Sequence, residues 1–210
     1  MDQQQEHPAS CVRNIQGIVF VLAACFLLSG CAFSKGSSAS SSGITWRGGK
    51  NQLYTAYENQ QNWPAALETV RKEIADPPSQ SDAHLYTIRW FGLQALGTYV
   101  KHHGLQPGLD EEATRYYKEA LGYAGQDAYL QSMINSVLGL YYSRSRRNGL
   151  DLPYWRKNLE YQERAQYTFG IILGYDGLAS AYQDMGEQAL RDYWRMKALA
   201  LASNYFVLGP

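Results

Sequence analysis

From residue 50 onward the chain is cut into short pieces by clusters of helix-breaking residues. The breaks are Asn62-Trp63-Pro64, Asp76-Pro77-Pro78, Gly104 to Gly108, Gly122 to Asp127, Asn148 to Pro153, and Gly174 or Gly186. Between them run stretches of about 11 to 20 residues in which Ala, Leu and Tyr recur at spacings of three and four, as on a helix with one apolar face. No run sustains the period-two alternation of a strand. The pattern predicts an all-α fold of about seven or eight helices joined by short turns.

The N-terminus follows different rules. Arg13 lies in a polar leader, and residues 15–28 form an uncharged apolar run. A membrane span needs about 20 apolar residues, so this run fits the core of a secretory signal better. An uncleaved anchor helix is the alternative. Leu28-Ser29-Gly30-Cys31 ends the run with an aliphatic residue, two small residues and a cysteine. This resembles a bacterial lipobox. The resemblance implies cleavage between Gly30 and Cys31, a diacylglyceryl group on the Cys31 thiol and an N-acyl group on its freed amine. Each buried methylene of such chains adds ~0.8 kcal/mol of membrane affinity. Ala32 follows the cysteine where Asp resembles a signal for inner-membrane retention, which implies the outer membrane, facing the periplasm, in a host with two membranes.

Three expectations follow. Residues 1–30 are a signal peptide, 31–45 a lipidated cysteine with a Ser/Gly-rich tether, and 46–210 the folded domain. A dozen such tether residues reach roughly 20 Å. The three cysteines are Cys11, Cys25 and Cys31; the first two leave with the signal and the third carries lipid. The mature chain therefore has no thiol for a disulfide, a nucleophile or a metal site. The whole chain has 19 basic and 19 acidic residues, and losing the leader barely changes that balance. Near-neutral charge gives no support to nucleic-acid binding.

The helical stretches also pair. Lys157-Asn158-Leu159-Glu160-Tyr161-Gln162-Glu163-Arg164-Ala165 is one clear second helix. Leu138-Gly139-Leu140-Tyr141-Tyr142 reads as a first helix, and it recurs as Leu178-Ala179-Ser180-Ala181-Tyr182 followed by Met185-Gly186-Glu187. An earlier pair runs from Leu53-Tyr54-Thr55-Ala56-Tyr57 to Ala66-Leu67-Glu68-Thr69-Val70 and Pro78; a looser one holds Tyr99, Ala113, Tyr117 and Ala120. These segments resemble tetratricopeptide repeats. The resemblance covers about residues 46–205 and implies TPR-like stacked hairpins in a short right-handed solenoid. Departures are extra residues near 101–109 and 143–152, a shortened last turn, and Glu73 where the family prefers a small residue. A non-repetitive helical bundle shares the pattern.

No reactive constellation is present in the sequence. His102 and His103 are neighbours in a glycine-bounded loop and point apart, and with His84 they lack ligand spacing. Metalloprotease, nucleophile-elbow, phosphate-loop and dinucleotide motifs are missing. Asp110-Glu111-Glu112 favour a helix N-terminus, with Asp110 as a candidate cap. Of the 17 tyrosines, Tyr57, Tyr99, Tyr117, Tyr142, Tyr161, Tyr182 and Tyr193 fall at packing positions. Tyr54, Tyr86, Tyr129, Tyr154 and Tyr167 are the candidates for exposure. Arg144, Arg146, Arg147, Arg156 and Lys157 make a basic segment, read either as a docking patch for acidic groups or as a solvated turn.

The tetratricopeptide resemblance implies a concave, partner-gripping face. It would carry Asn51, Thr55, Glu58 and Asn59 in the first repeat. Met133, Ser136, Leu140, Ser143 and Arg144 follow in the third, and Asp176, Ser180, Gln183 and Asp184 in the fourth. Relatives of this build assist secretin or barrel assembly. The expected function is thus a non-enzymatic, membrane-anchored adaptor for an envelope protein, with no cofactor or metal. The alternative is an immunity lipoprotein that neutralises a periplasm-acting toxin, such as a type VI secretion lipase effector. Cys31→Ser is expected to abolish metabolic labelling with palmitate and to leave the precursor uncut, while Cys11→Ser and Cys25→Ser label normally.

Overall fold

The computed structural model describes residues 62–208; the leader, Gly30, Cys31, the tether and residues 51–61 lie outside them. Seven helices follow: α1 (Trp63–Ala75), α2 (Asp82–His103), α3 (Leu109–Ala124), α4 (Ala128–Arg144), α5 (Leu152–Arg164), α6 (Thr168–Asp184) and α7 (Gln188–Leu208). Among the described residues there is no strand.

Local chemistry sets the helix ends. The Asn62 side chain accepts the Ala65 amide, with Pro64 just inside α1. Ser81 accepts the His84 amide at the start of α2, and Asp127 accepts the amides of Tyr129 and Leu130 at the start of α4. At α3 the cap is Gly108, at φ 84°, and Asp110 lies inside the first turn with its carboxylate engaged elsewhere. The extra residues near 101 lengthen α2, so His102 and His103 form its last turn rather than a loop. Gly174 sits within α6, and the break falls at Gly186.

The helices pack as a stack of hairpins. α2 pairs with α3, α4 with α5, and α6 with α7, while α1 lies on α2. Between hairpins, α3 meets α4 and α5 meets α6; α2 also packs on α4, and α4 on α6. The even helices are therefore enclosed from several sides. α2 buries 13 of its 22 residues, whereas α3 buries 5 of 16, as expected for an odd helix that keeps a solvated face. The expected second-helix alanines Ala66, Ala113 and Ala120 are all buried.

Glycines inside helices mark the closest approaches. On α6, Gly170, Gly174 and Gly177 lie over Gln162, Asn158 and Trp155 of α5; a Cβ on Gly177 would sit 2.3 Å from the Trp155 ring. On α4, a Cβ on Gly139 would lie 3.0 Å from the other side of that indole system. Trp155 thus fills the space that two missing side chains leave. It belongs to a cluster with Leu159, Leu178 and Ala181, bordered by Leu140, Ile171, Tyr175 and Trp194.

Gly177→Ala is expected to destabilise the fold by about 2 kcal/mol through overpacking. Gly122→Ala, where an added Cβ meets nothing within 4 Å, is expected to be neutral or stabilising by up to ~1 kcal/mol. Thermal unfolding of the two variants checks the contrast.

Candidate partner-binding face

Ser136, Leu140 and Arg144 lie four residues apart on one line of α4, and Asp176, Ser180 and Asp184 do the same on α6. The structure packs α4 against α6. Ser136, Leu140, Arg144, Asp176 and Ser180 are half-buried, and Gln183 and Asp184 are exposed. Asn51, Thr55, Glu58 and Asn59 lie outside the described residues. Met133 and Ser143 share the half-buried margin of α4.

Several of these groups already have partners. Ser136 Oγ donates to the Met133 carbonyl at 2.7 Å, and Arg144 Nη1 donates to Thr98 Oγ1 of α2 at 3.2 Å. Leu140 packs against the Trp155 cluster. Gln183 Oε1 accepts from Arg195 Nη2 of α7 at 3.1 Å. Burial raises the Asp176 carboxyl above its ordinary range, and the nearby Arg195 charge offsets part of that rise. The Asp184 backbone carbonyl takes the Asn148 amide, closing the α4–α5 loop onto the end of α6. What the face offers is small hydroxyls, one apolar contact and an acid at each end of the α6 line.

The members of the basic segment are held in different ways. Arg147 forms a two-pronged pair with Asp110 and lies over the Tyr142 ring, 4.8 Å from its centroid. Arg156 donates to the Tyr182 hydroxyl at 2.8 Å. Arg146 and Lys157 are exposed, Arg146 with the positive φ of 55° that ends α4.

Some tyrosines fall out differently from the sequence expectation. Tyr86 is fully buried, its hydroxyl donating to the Leu130 carbonyl at 2.9 Å. Tyr193 is exposed, on a face of α7 that no described helix covers. Tyr129 is exposed, and Tyr154 and Tyr167 are half-buried. Tyr154 stacks on Tyr142 and meets Tyr117 edge-on, with ring centroids 5.4 and 5.6 Å apart.

A cleft of about 800 Å³ opens among α1, α2 and α3. Its arginines are largely matched: Arg71 binds Glu112 through two bonds, and Arg89 binds Glu119 at 2.7 Å. Burial pushes the Glu112 carboxyl up, but the bonds from Arg71 and Tyr116 pull it down further, so its pKa falls below the ordinary value. Glu73, at its unusual position, lies 3.4 Å from His84 Nε2, and burial raises its carboxyl. His102 stacks on Trp63 and His103 on Tyr99. Among the described residues, no three His, Cys, Asp or Glu side chains group as metal ligands, and no helix is long and apolar enough to cross a membrane.

Sequence reasoning passed over Asp151. It begins α5 with 1% exposure, and neither carboxylate oxygen has a hydrogen bond of good geometry. Burial raises its pKa and the Asp184 charge adds to the rise, against smaller opposing pulls from nearby amides and the Trp155 indole. The Asp184 charge that acts on it lies on α6, a long-range neighbour with no local signature.

No protein-family model, curated protein or solved structure matches the chain.

Two carboxylates give opposite pH responses. The Arg147 bonds hold Asp110 below its ordinary pKa, so its contribution is present at neutral pH and fades as pH falls through that lowered value. Asp151 has a raised folded pKa, so its ionisation costs stability above that pKa, and the cost vanishes in acid. Asp151→Asn is expected to raise Tm at pH 7–8 by roughly 2–4 °C, a gain that shrinks as pH falls through the raised pKa. Asp110→Asn is expected to lower Tm at neutral pH by less, since its side chain is 37% exposed. Melting curves from pH 3 to 8 separate the two.

Proposed function

We propose that this chain is a non-enzymatic adaptor, anchored by lipid on Cys31 and holding a segment of another envelope protein. The observation that carries the reading is the hairpin stack itself. The packing of α4 on α6 supports a shared surface for Ser136 and Leu140 of the one and Asp176, Ser180 and Gln183 of the other, built from rigid elements. Such a surface suits an extended or helical peptide, whose side chains insert between neighbouring helices. The apolar run and Leu28-Ser29-Gly30-Cys31 support the anchor, and the Ser/Gly tether supports a domain held away from the bilayer.

A photo-crosslinking amino acid placed at Ser180 or Gln183 in the full chain, expressed in its native envelope, tests the reading. The expected result is a discrete crosslink to one envelope protein from those positions. The exposed positions Glu160 and Lys118, on α5 and α3, should give none. No crosslink from α6, or equal labelling from all four positions, would count against the adaptor.

A further inference from the structure

α7 differs from α3 and α5. α3 lies against both α2 and α4, and α5 against both α4 and α6, but among the described residues α7 packs mainly on α6. The residues it turns toward α6 are Arg191, Trp194, Arg195, Ala198 and Leu201, each half-buried or buried. At 100° per residue the opposite side carries Ala189, Tyr193, Met196, Ala200 and Ser203. Tyr193 is 50% exposed and Met196 65%; Leu190 and Leu199, at the two edges, are 42% and 39% exposed.

The spacing of that line is four, three, four, three. This is the seam of a two-stranded coiled coil, with Tyr193 and Ala200 at one core position and Ala189, Met196 and Ser203 at the other. Asp192 lies on one edge and Lys197 on the other, five residues apart. In a parallel pair the first edge of one helix faces the second edge of its partner, five residues on. Asp192 of each copy then meets Lys197 of the other. An antiparallel pair sets each edge against itself, lysine edge to lysine edge. Both charges are available at the surface. The Asp192 side chain is 60% exposed, with Nε and Nη2 of its neighbour Arg191 each 2.8 Å from Oδ1. The Lys197 ammonium rests over the rings of Tyr193, Trp194 and Tyr175 at 4.9, 5.2 and 5.6 Å.

We infer that two copies of this chain associate through α7 in a parallel, two-fold pair, with Tyr193 and Met196 at its centre and Asp192 paired with Lys197 across it. The area fits a reversible dimer. The four exposed apolar side chains leave open on the order of 400 Å² per copy, taking roughly 200 Å² for a whole large side chain. That is a substantial patch for a monomer surface. With a polar rim, the total burial comes to roughly 1,200 Å², the low end for specific interfaces. Dissociation is accordingly expected in the micromolar range. The pairing goes beyond the adaptor reading and stands without it.

The test uses the full chain in mild detergent. Sedimentation velocity between about 1 and 100 µM is expected to show monomer converting to dimer. Tyr193→Glu/Met196→Glu is expected to remain monomeric with unchanged far-ultraviolet circular dichroism and Tm. A chain monomeric throughout would overturn the inference, leaving the face to a different protein; so would a dimer indifferent to that double change. Orientation is read by disulfide trapping with Cys31 kept, the chain without an added cysteine serving as the control. Ala189→Cys and Ala200→Cys are each expected to give covalent dimers on mild oxidation. Trapping only when the two variants are mixed would show an antiparallel pair and overturn the arrangement. Asp192→Lys and Lys197→Asp are each expected to weaken the dimer several-fold, and the double swap to restore it.

Discussion

The packing of the last two hairpins turns on Trp155. Its indole occupies the volume that Gly139 on α4 and Gly177 on α6 leave open, so one side chain of an odd helix is shared by the even helices of two successive hairpins. Indole burial is large: removing such a ring costs about 3–5 kcal/mol, because close-packed surroundings cannot collapse into the void. The same arrangement fixes direction. A helix can approach this closely only with its glycines aligned over the partner, so the glycine line at 170, 174 and 177 sets both the separation of α5 and α6 and their relative slide.

Polar bonds then settle register where apolar packing alone would permit slippage. Asn158 donates to the Ser132 carbonyl and Gln162 to the Ser132 hydroxyl, tying α5 to α4 through buried bonds of 2.8 and 2.7 Å. Tyr117 reaches Asn135 of α4 at 3.0 Å, and Tyr141 reaches Asp110 of α3 at 2.7 Å. Tyr86 links α2 to the first turn of α4. A net bond of this kind adds only about 1 kcal/mol, but an unmade buried one costs about 1–3 kcal/mol. The bonds therefore penalise wrong registers more than they stabilise the right one. The abundance of tyrosine follows from this. A phenol fills the wedge between helices and carries a hydroxyl to the far side of it.

The helices themselves were legible because their signals are local. Caps at Asn62, Ser81 and Asp127, breaks at Pro77-Pro78 and Gly104, and recurring Ala and Leu all act within one or two turns. The pairing of segments was legible through Leu138-Gly139 and Leu178-Ala179, where small residues announce close approach. Signals that depend on distant chain were not. Tyr86 looks like a surface tyrosine until α4 covers it. Asp151 looks like an ordinary turn residue until the fold leaves it 1% exposed. Arg147 reads as part of a basic run, yet its charge is answered by Asp110, 37 residues away in sequence. On the candidate face the chemistry is small and polar, and such residues leave no spacing rule that separates gripping a partner from meeting water.

The proposed anchor and the proposed pairing constrain each other. On the proposed anchor, two chains tethered to one bilayer through residue 31 would start from the same side, and a two-fold axis normal to that surface would carry one chain onto the other. Such an axis leaves the two helices parallel where α7 stands along the surface normal, and that is the arrangement Asp192 and Lys197 favour. Confinement to a surface also raises the effective concentration of each copy for the other, so an interface too small to hold in dilute solution can be populated there. The stripe on α7 lies on the side away from α6, so pairing through it leaves Ser180 and Gln183 uncovered by the seam. Two partner-gripping faces would then stand side by side. A ligand presenting two copies of its segment would be held far more firmly than either face could hold it alone, provided the span between segments matches the span between faces.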